Sequence, residues 1–249
     1  MLSTRLVPTL IALTLAVASF PTPASVVVSG TRVVYSLADN EQTVRLSNEG
    51  REPSLVQIWI DDGDVRATPT TAKAPFLVAP PISRIDPGKG QSIRLIYTGE
   101  PVPQDIESVY YFNLLEIPPK PDLENTSSQF LQLAFRTRIK LFLRPPGLDG
   151  SADTAVEKII WKISRREDEW EVVATNPTPY HVSLIKVVLK SPDGAVIASD
   201  KVGGMIDPRG TCDFKLTGVT QASISGATIE YRFINDHGGV AAGDAAVSE

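Results

Sequence analysis

From Ser25 onward the apolar residues of this chain recur at every second position, in short runs, and not at helical spacing. Thr43-Val44-Arg45-Leu46, Leu55-Val56-Gln57-Ile58-Trp59-Ile60, Ser92-Ile93-Arg94-Leu95-Ile96-Tyr97 and Val109-Tyr110-Tyr111-Phe112-Asn113-Leu114-Leu115 show the pattern. A period of two places successive side chains on opposite faces of an extended backbone, so these runs read as half-buried strands. They are rich in β-branched and aromatic residues, and turn signals such as Asn48-Glu49-Gly50, Asp61-Asp62-Gly63-Asp64 and Asp86-Pro87-Gly88 separate them. With 20 prolines and 17 glycines the elements must be short. About seven such strands make an immunoglobulin-like sandwich, and no amphipathic helix is expected.

A second set of runs follows Arg144-Pro145-Pro146-Gly147: Val156–Ile163, Trp170–Ala174, Val182–Leu189, Thr211–Leu216 and Thr228–Ile234. Tandem prolines cannot continue a central strand, so this segment is a natural hinge. The expected architecture is all-β, with one sandwich over residues 25–146 and a second over 147–249. The small, polar Ala241–Glu249 is expected to fray. Residues 1–24 read as a secretory signal peptide. Arg5 supplies the basic start, Leu6–Phe20 is uncharged, and the segment closes at Pro21-Thr22-Pro23-Ala24, with cleavage near Ala24. That run is short of the roughly 20 residues a spanning helix needs.

Composition narrows the function classes. The 24 Lys+Arg against 29 Asp+Glu leave a net charge of −5, which argues against a nucleic-acid binder. One cysteine, Cys212, precludes an intrachain disulfide and a multi-cysteine metal site, so an exported chain must rely on its core. His181 and His237, the two histidines, sit in no recognisable catalytic motif. No enzyme activity, cofactor, metal or small-molecule substrate is therefore expected. Asp61-Asp62-Gly63-Asp64 lacks the distal ligands of a calcium loop and reads as hairpin chemistry.

The segment Phe130–Arg144 stands apart, with fifteen residues free of Gly and Pro. At ~3.3 Å per residue one strand of that length would span about 50 Å. Leu131, Leu133, Phe135, Ile139, Leu141 and Leu143 share one face, interrupted by Thr137. One reading is a long core strand. The other is a strand that outruns its sheet and leaves an apolar row with unpaired backbone, a feature natural proteins normally blunt unless a partner strand covers it.

Thr137-Arg138-Ile139-Lys140-Leu141-Phe142-Leu143-Arg144-Pro145 resembles the last strand of the first domain in the periplasmic pilus chaperones, the PapD-like proteins of the chaperone–usher pathway. Thr31-Arg32-Val33-Val34-Tyr35, Glu107–Pro119, Asn176-Pro177-Thr178-Pro179-Tyr180 and Asn235-Asp236-His237-Gly238-Gly239 resemble the same family, in order, across the chain. The resemblance implies two immunoglobulin-like domains in an L shape with a cleft between them, and a periplasmic location. It implies pilin or fimbrial subunits and an outer-membrane usher as partners, with a self-capping homodimer left open for the free protein. It assigns Arg32 and Lys140 to the subunit's C-terminal carboxylate, and Leu131, Leu133 and Phe135 to the strand lent to the subunit. It further implies an interdomain ion trio of Glu107, Arg144 and Asp236. A loop at Lys120–Gln129, modestly extended and without a cysteine pair, is similar to those of the rod-pilus members. The rival reading is an exported immunoglobulin-like adhesin or carbohydrate-binding module, which would need aromatic platforms on loops. Trp59, Trp161 and Trp170 instead lie within strand-like runs.

Overall fold

The computed structural model describes residues 26–120, 132–166, 169–217 and 226–248. The first half contains β1 (Val26–Val28), β2 (Arg32–Ser36), β3 (Gln42–Asn48), β4 (Ser54–Asp61), β5 (Phe76–Ala79), β6 (Ile82–Ile85), β7 (Gly90–Tyr97), β8 (Ser108–Ile117) and β9 (Phe135–Arg144). They form a four-stranded sheet in the order β1-β3-β7-β5, facing a five-stranded sheet in the order β2-β9-β8-β4-β6. The sequence alternation sets what each sheet turns inward. Val44 and Leu46, Val56, Ile58 and Ile60, Ile93 and Leu95, Phe112 and Leu114, and Leu141 and Leu143 are buried in one core. Each large side chain so buried contributes roughly 1.5–3 kcal/mol.

The chain changes sheets between β1 and β2. Val26–Val28 pairs with β3 in the first sheet, and Arg32–Ser36 pairs with β9 in the second. Gly30, at φ +120°, makes the step in a conformation L side chains rarely adopt. As a result β2 runs parallel to β9, with Arg32 opposite Lys140. All other strand pairs among the described residues are antiparallel.

The second half holds β10 (Ile160–Arg166), β11 (Glu169–Thr175), β12 (Val182–Lys190), β13 (Val196–Asp200), β14 (Gly204–Ile206), β15 (Thr211–Lys215), β16 (Thr228–Ile234) and β17 (Val240–Ala246). One sheet runs β10-β11-β15, the other β13-β12-β16-β17 with β14 also on β12. Their core is built around Trp161, Val172, Val187, Leu189, Phe214, Ile229 and Tyr231, with the Trp161 and Tyr231 rings stacked at 5.5 Å. Both halves are β-sandwiches of the immunoglobulin type.

The structure differs from the sequence expectations in three places. The run from Val156 does not begin as a strand. Ser151 accepts a hydrogen bond from the Thr154 amide and starts a short helix at Ala152–Ala155, which continues as a 3-10 turn over Val156–Lys158. The expected fraying tail instead forms β17 over Val240–Ala246, paired along its length with β16. Its small residues are what fit there, since a Cβ on Gly243 would lie 2.6 Å from the Tyr231 hydroxyl. The fifteen-residue run is not one strand either, because β9 begins at Phe135. Leu131 and residues 121–129 of the Lys120–Gln129 loop lie outside the described residues.

Candidate functional site

The two sandwiches meet where the outward, even-numbered face of β9 turns toward the second half. Leu141 and Leu143 point into the first core, so Lys140, Phe142 and Arg144 point away from it, into the joint. Phe142 is 2 % exposed yet stands outside the core clusters, with its ring 5.4 Å from that of His181.

At the closed end of the joint, Arg144 is saturated. Its Nε donates to Glu107 Oε1 at 2.8 Å, Nη1 donates to Asp236 Oδ2 at 2.6 Å, and Nη2 donates to Asp236 Oδ1 at 3.2 Å. The Glu107 side chain is 1 % exposed and accepts at Oε2 from the His181 backbone amide at 3.0 Å, with His181 Nδ1 at 2.8 Å. Burial would lower the Arg144 pKa, but the two carboxylates outweigh it and hold the guanidinium above its ordinary value. This is a buried cluster, so the small values measured for exposed ion pairs do not describe it. Local turns deliver its members. Asn176, fully buried, donates to Tyr180 O and Asp207 O and accepts from Thr178, shaping a loop whose Pro179 carbonyl receives the Glu107 amide. Asn235 accepts the Gly239 amide in the β16–β17 turn that carries Asp236. A Cβ on Gly238, at φ +80°, would lie 2.5 Å from Thr31 Oγ1, so the halves approach here as only glycine permits.

Four residues earlier on the same face the situation reverses. Lys140 Nζ donates to the Ser183 hydroxyl at 3.1 Å, and Arg32 Nη1 donates to the Ile234 carbonyl at 2.9 Å. Neither cation has a carboxylate within ion-pair distance among the described residues. Arg32 Nε is buried with no hydrogen-bond partner among them, and its Cζ sits 5.5 Å from the Phe142 ring centre. Burial pushes Lys140 down to about 8, the charge of Arg32 pushing the same way against a weaker pull from Asp207. Burial likewise lowers Arg32, against the pull of Asp236 and Glu107. Two half-desolvated cations with donors to spare suit an anion with two oxygens.

The other end of β9 is open. Phe135–Ile139 pairs with β8, from Glu116↔Phe135 to Phe112↔Ile139, whereas β2 covers only Lys140–Arg144. Among the described residues the opposite edge of Phe135–Ile139 has no strand beside it. Phe135 is 58 % exposed and Leu133, just before the strand, is 51 % exposed. Neither belongs to the protein's own core.

Sequence reading missed the residues that complete this face. Asp61, read as part of a hairpin loop, is the last residue of β4 and fully buried, and it takes both Arg138 and Asn113. The sequence pattern assigns neither His181 nor Ser183 to this face. A signal existed: the even positions of β9 carry Arg136, Arg138, Lys140 and Arg144, and that many cations on one strand face call for anions nearby. No group of residues suited to hold a metal ion occurs among the described residues.

Two β-sandwiches joined at a buried ion cluster, with a carboxylate-free cation pair beside an apolar open strand edge, define a narrow class of protein. Residues 25–149 match the model of the pili and flagellar-assembly chaperone PapD N-terminal domain, and residues 154–245 that of the pili assembly chaperone PapD C-terminal domain. Over 224 residues the chain is 44 % identical to the probable fimbrial chaperone YadV of Escherichia coli K12, covering 89 % of each chain. It is 40 % identical over 230 residues to the chaperone protein FimB/FhaD of Bordetella pertussis Tohama I, covering 91 % of this chain and 89 % of the relative. The crystal structure of the YadV chaperone superposes with a TM-score of 0.75 at 40 % identity, over 90 % of this chain and all of that one. The chaperone complex of Salmonella enterica SafA pilin with SafB matches with a TM-score of 0.73 at 25 % identity, over 92 % of this chain and 99 % of the other. The chain belongs to the PapD family of pilus-assembly chaperones.

Proposed function

We propose that this protein is a periplasmic chaperone that captures pilin subunits by lending them a strand, and passes them to an outer-membrane usher. Residues 1–24 serve as its export signal. The observation that carries the reading is the open half of β9, where an exposed apolar row adjoins two cations with no carboxylate of their own. Leu131, Leu133 and Phe135 enter the groove of a subunit that lacks its own last strand, and Arg32 with Lys140 receives the subunit's terminal carboxylate. Glu107, Arg144 and Asp236 fix the angle of the two sandwiches around that terminus. The same open edge is what a second copy would cover in a self-capped dimer. The chemistry is binding throughout, and no catalytic step is assigned to it. A chaperone–pilin complex among the structural neighbours supports the subunit as the partner class.

Leu133→Glu tests strand donation. A carboxylate in an apolar groove forfeits about 2 kcal/mol of burial and adds the cost of an unpaired buried charge. Co-expression in a bacterial periplasm with candidate pilins should recover a subunit with the wild-type chain and not with the variant, while the isolated variant melts normally. Normal recovery by Leu133→Glu, or a collapsed melting transition, would remove Leu133 from the site.

A further inference from the structure

Among the described residues the open half of β9 has one strand neighbour, and Phe135 on its apolar side is exposed, the conditions under which strand ends fray. Its even-numbered face supplies what the edge lacks. Arg138 grips Asp61 across β8 with both ends of its fork, Nη2 donating to Oδ1 at 2.5 Å and Nε donating to Oδ2 at 3.2 Å. Asn113 Nδ2, between them on β8, donates to the same carboxylate at 2.7 Å. Arg136 donates to Asn113 Oδ1 through Nε at 3.0 Å and Nη2 at 2.7 Å, and through Nη1 to the Val65 carbonyl at 2.7 Å. Each guanidinium also lies over an aromatic ring of the same face, Arg136 at 4.8 Å from the Trp59 centre and Arg138 at 3.5 Å from that of Tyr111. Diagonal neighbours on one sheet face are within reach of side chains this long. The Gly63 amide, two residues along the chain, donates to Oδ1 at 2.8 Å, so the carboxylate is also held from its own turn. Burial works to raise the Asp61 pKa, and the bonds from Arg138, Asn113 and Gly63 outweigh it and hold the group ionised.

We propose that Asp61, Asn113, Arg136 and Arg138 form a tether across β4, β8 and β9 that holds Phe135–Ile139 extended before any subunit arrives, so that strand addition begins from a pre-ordered edge. The inference rests on the strand-donation reading above and adds these four as positioning residues. Ordering a strand during binding costs conformational entropy that a pre-ordered edge has already lost. The tether sits on the face opposite Phe135, so it steadies the strand without occupying the apolar row. It therefore acts through β9, and its loss should slow capture more than it speeds release.

The test uses Asp61→Asn, with Arg136→Lys and Arg138→Lys as milder variants that keep the charge but lose the planar fork. Hydrogen exchange on the free protein reads the tether directly. The β8-facing amides of Phe135–Ile139 should exchange about tenfold faster or more, while those of Lys140–Arg144 and the second sandwich keep their protection. With the subunit recovered by the wild-type chain, the association rate should fall by a similar factor and the dissociation rate should stay near wild type. Unchanged exchange at Phe135–Ile139 in all three variants would overturn the tether, whatever Leu133→Glu does. Faster exchange with unchanged association would also overturn it. If Asp61→Asn loses protection everywhere, the two lysine variants decide, and a uniform loss in them too would mark the cluster as a general stabiliser. Failure of strand donation itself would appear separately, as normal capture by Leu133→Glu.

Discussion

Arg144 and Lys140 lie four residues apart on one face of one strand, and their surroundings are opposite. Arg144 is enclosed by Glu107 and Asp236 and pushed above its ordinary pKa. Lys140 has a serine hydroxyl and a neighbouring arginine, and is pushed down to about 8. Folding has completed one charge cluster and left the other incomplete. A protein gains nothing in stability from holding Arg32 and Lys140 side by side in a half-buried joint. Such an arrangement is stable only against the rest of the fold, and its unmet donors are what a ligand would complete. The lesson is that the structural and the receptive cation on this strand are told apart by their anions, not by their residue type.

The largest expected effect comes from the completed cluster. Arg144→Ala leaves Glu107 buried without its main counter-charge and should destabilise the protein by about 3–5 kcal/mol, read by chemical denaturation. It should also loosen the joint, which small-angle scattering would record. A near-normal midpoint would erase the distinction between the two clusters.

Arg32→Ala and Lys140→Ala should behave in the opposite way. Each removes a desolvated charge that has no carboxylate, so melting should stay level or rise, while subunit capture falls by about 2–5 kcal/mol of binding free energy. Calorimetry beside a pull-down checks both halves of the statement. Normal capture by the double variant would remove the pair from the site.

The depressed Lys140 amine gives a finer test. Its pKa is about 8 in the folded chain against an ordinary 10.5. The unfolded chain therefore binds more protons between those values, and this residue's contribution makes stability rise with pH across about 8 to 10.5. Below about 8 the folded chain carries the full penalty of the desolvated charge. Capture of a carboxylate should run the other way and weaken as pH rises through about 8, where Lys140 loses its proton. Lys140→Arg should flatten that decline, and an unchanged profile would sink the assignment.

The smallest effect belongs to a third ion pair at the joint. Arg209 meets Asp105 at 2.6 Å, but both side chains are more than half exposed. Arg209→Gln should leave melting and capture unchanged, because water screens such pairs. A loss comparable to Arg144→Ala would show that burial is not what separates the clusters.

The alternating runs determined much of this molecule by themselves. A period of two leaves only one face to bury, so Val44, Leu46, Ile93, Leu95, Leu141 and Leu143 could go nowhere but inside a sandwich. The same alternation put Lys140 and Arg144 together on the face away from Leu141. Their roles in Glu107, Asp236 and Arg32 company came from resemblance, since residues as far apart as Thr31 and Gly238, 207 positions, meet here. Sequence could not say that β2 runs parallel to β9, because pairing direction depends on the path the chain takes at Gly30 and not on any pattern within either strand. That direction, with its register, puts Arg32 opposite Lys140 and Ser36 opposite Arg144. Nor could sequence say which half of Phe130–Arg144 would be covered. Leu133 and Leu143 carry the same side chain at the same phase of the same run. Only the tertiary structure, by packing the first core over Leu143 and not over Leu133, buries one and leaves the other half exposed, since burial depends on what the rest of the chain brings alongside.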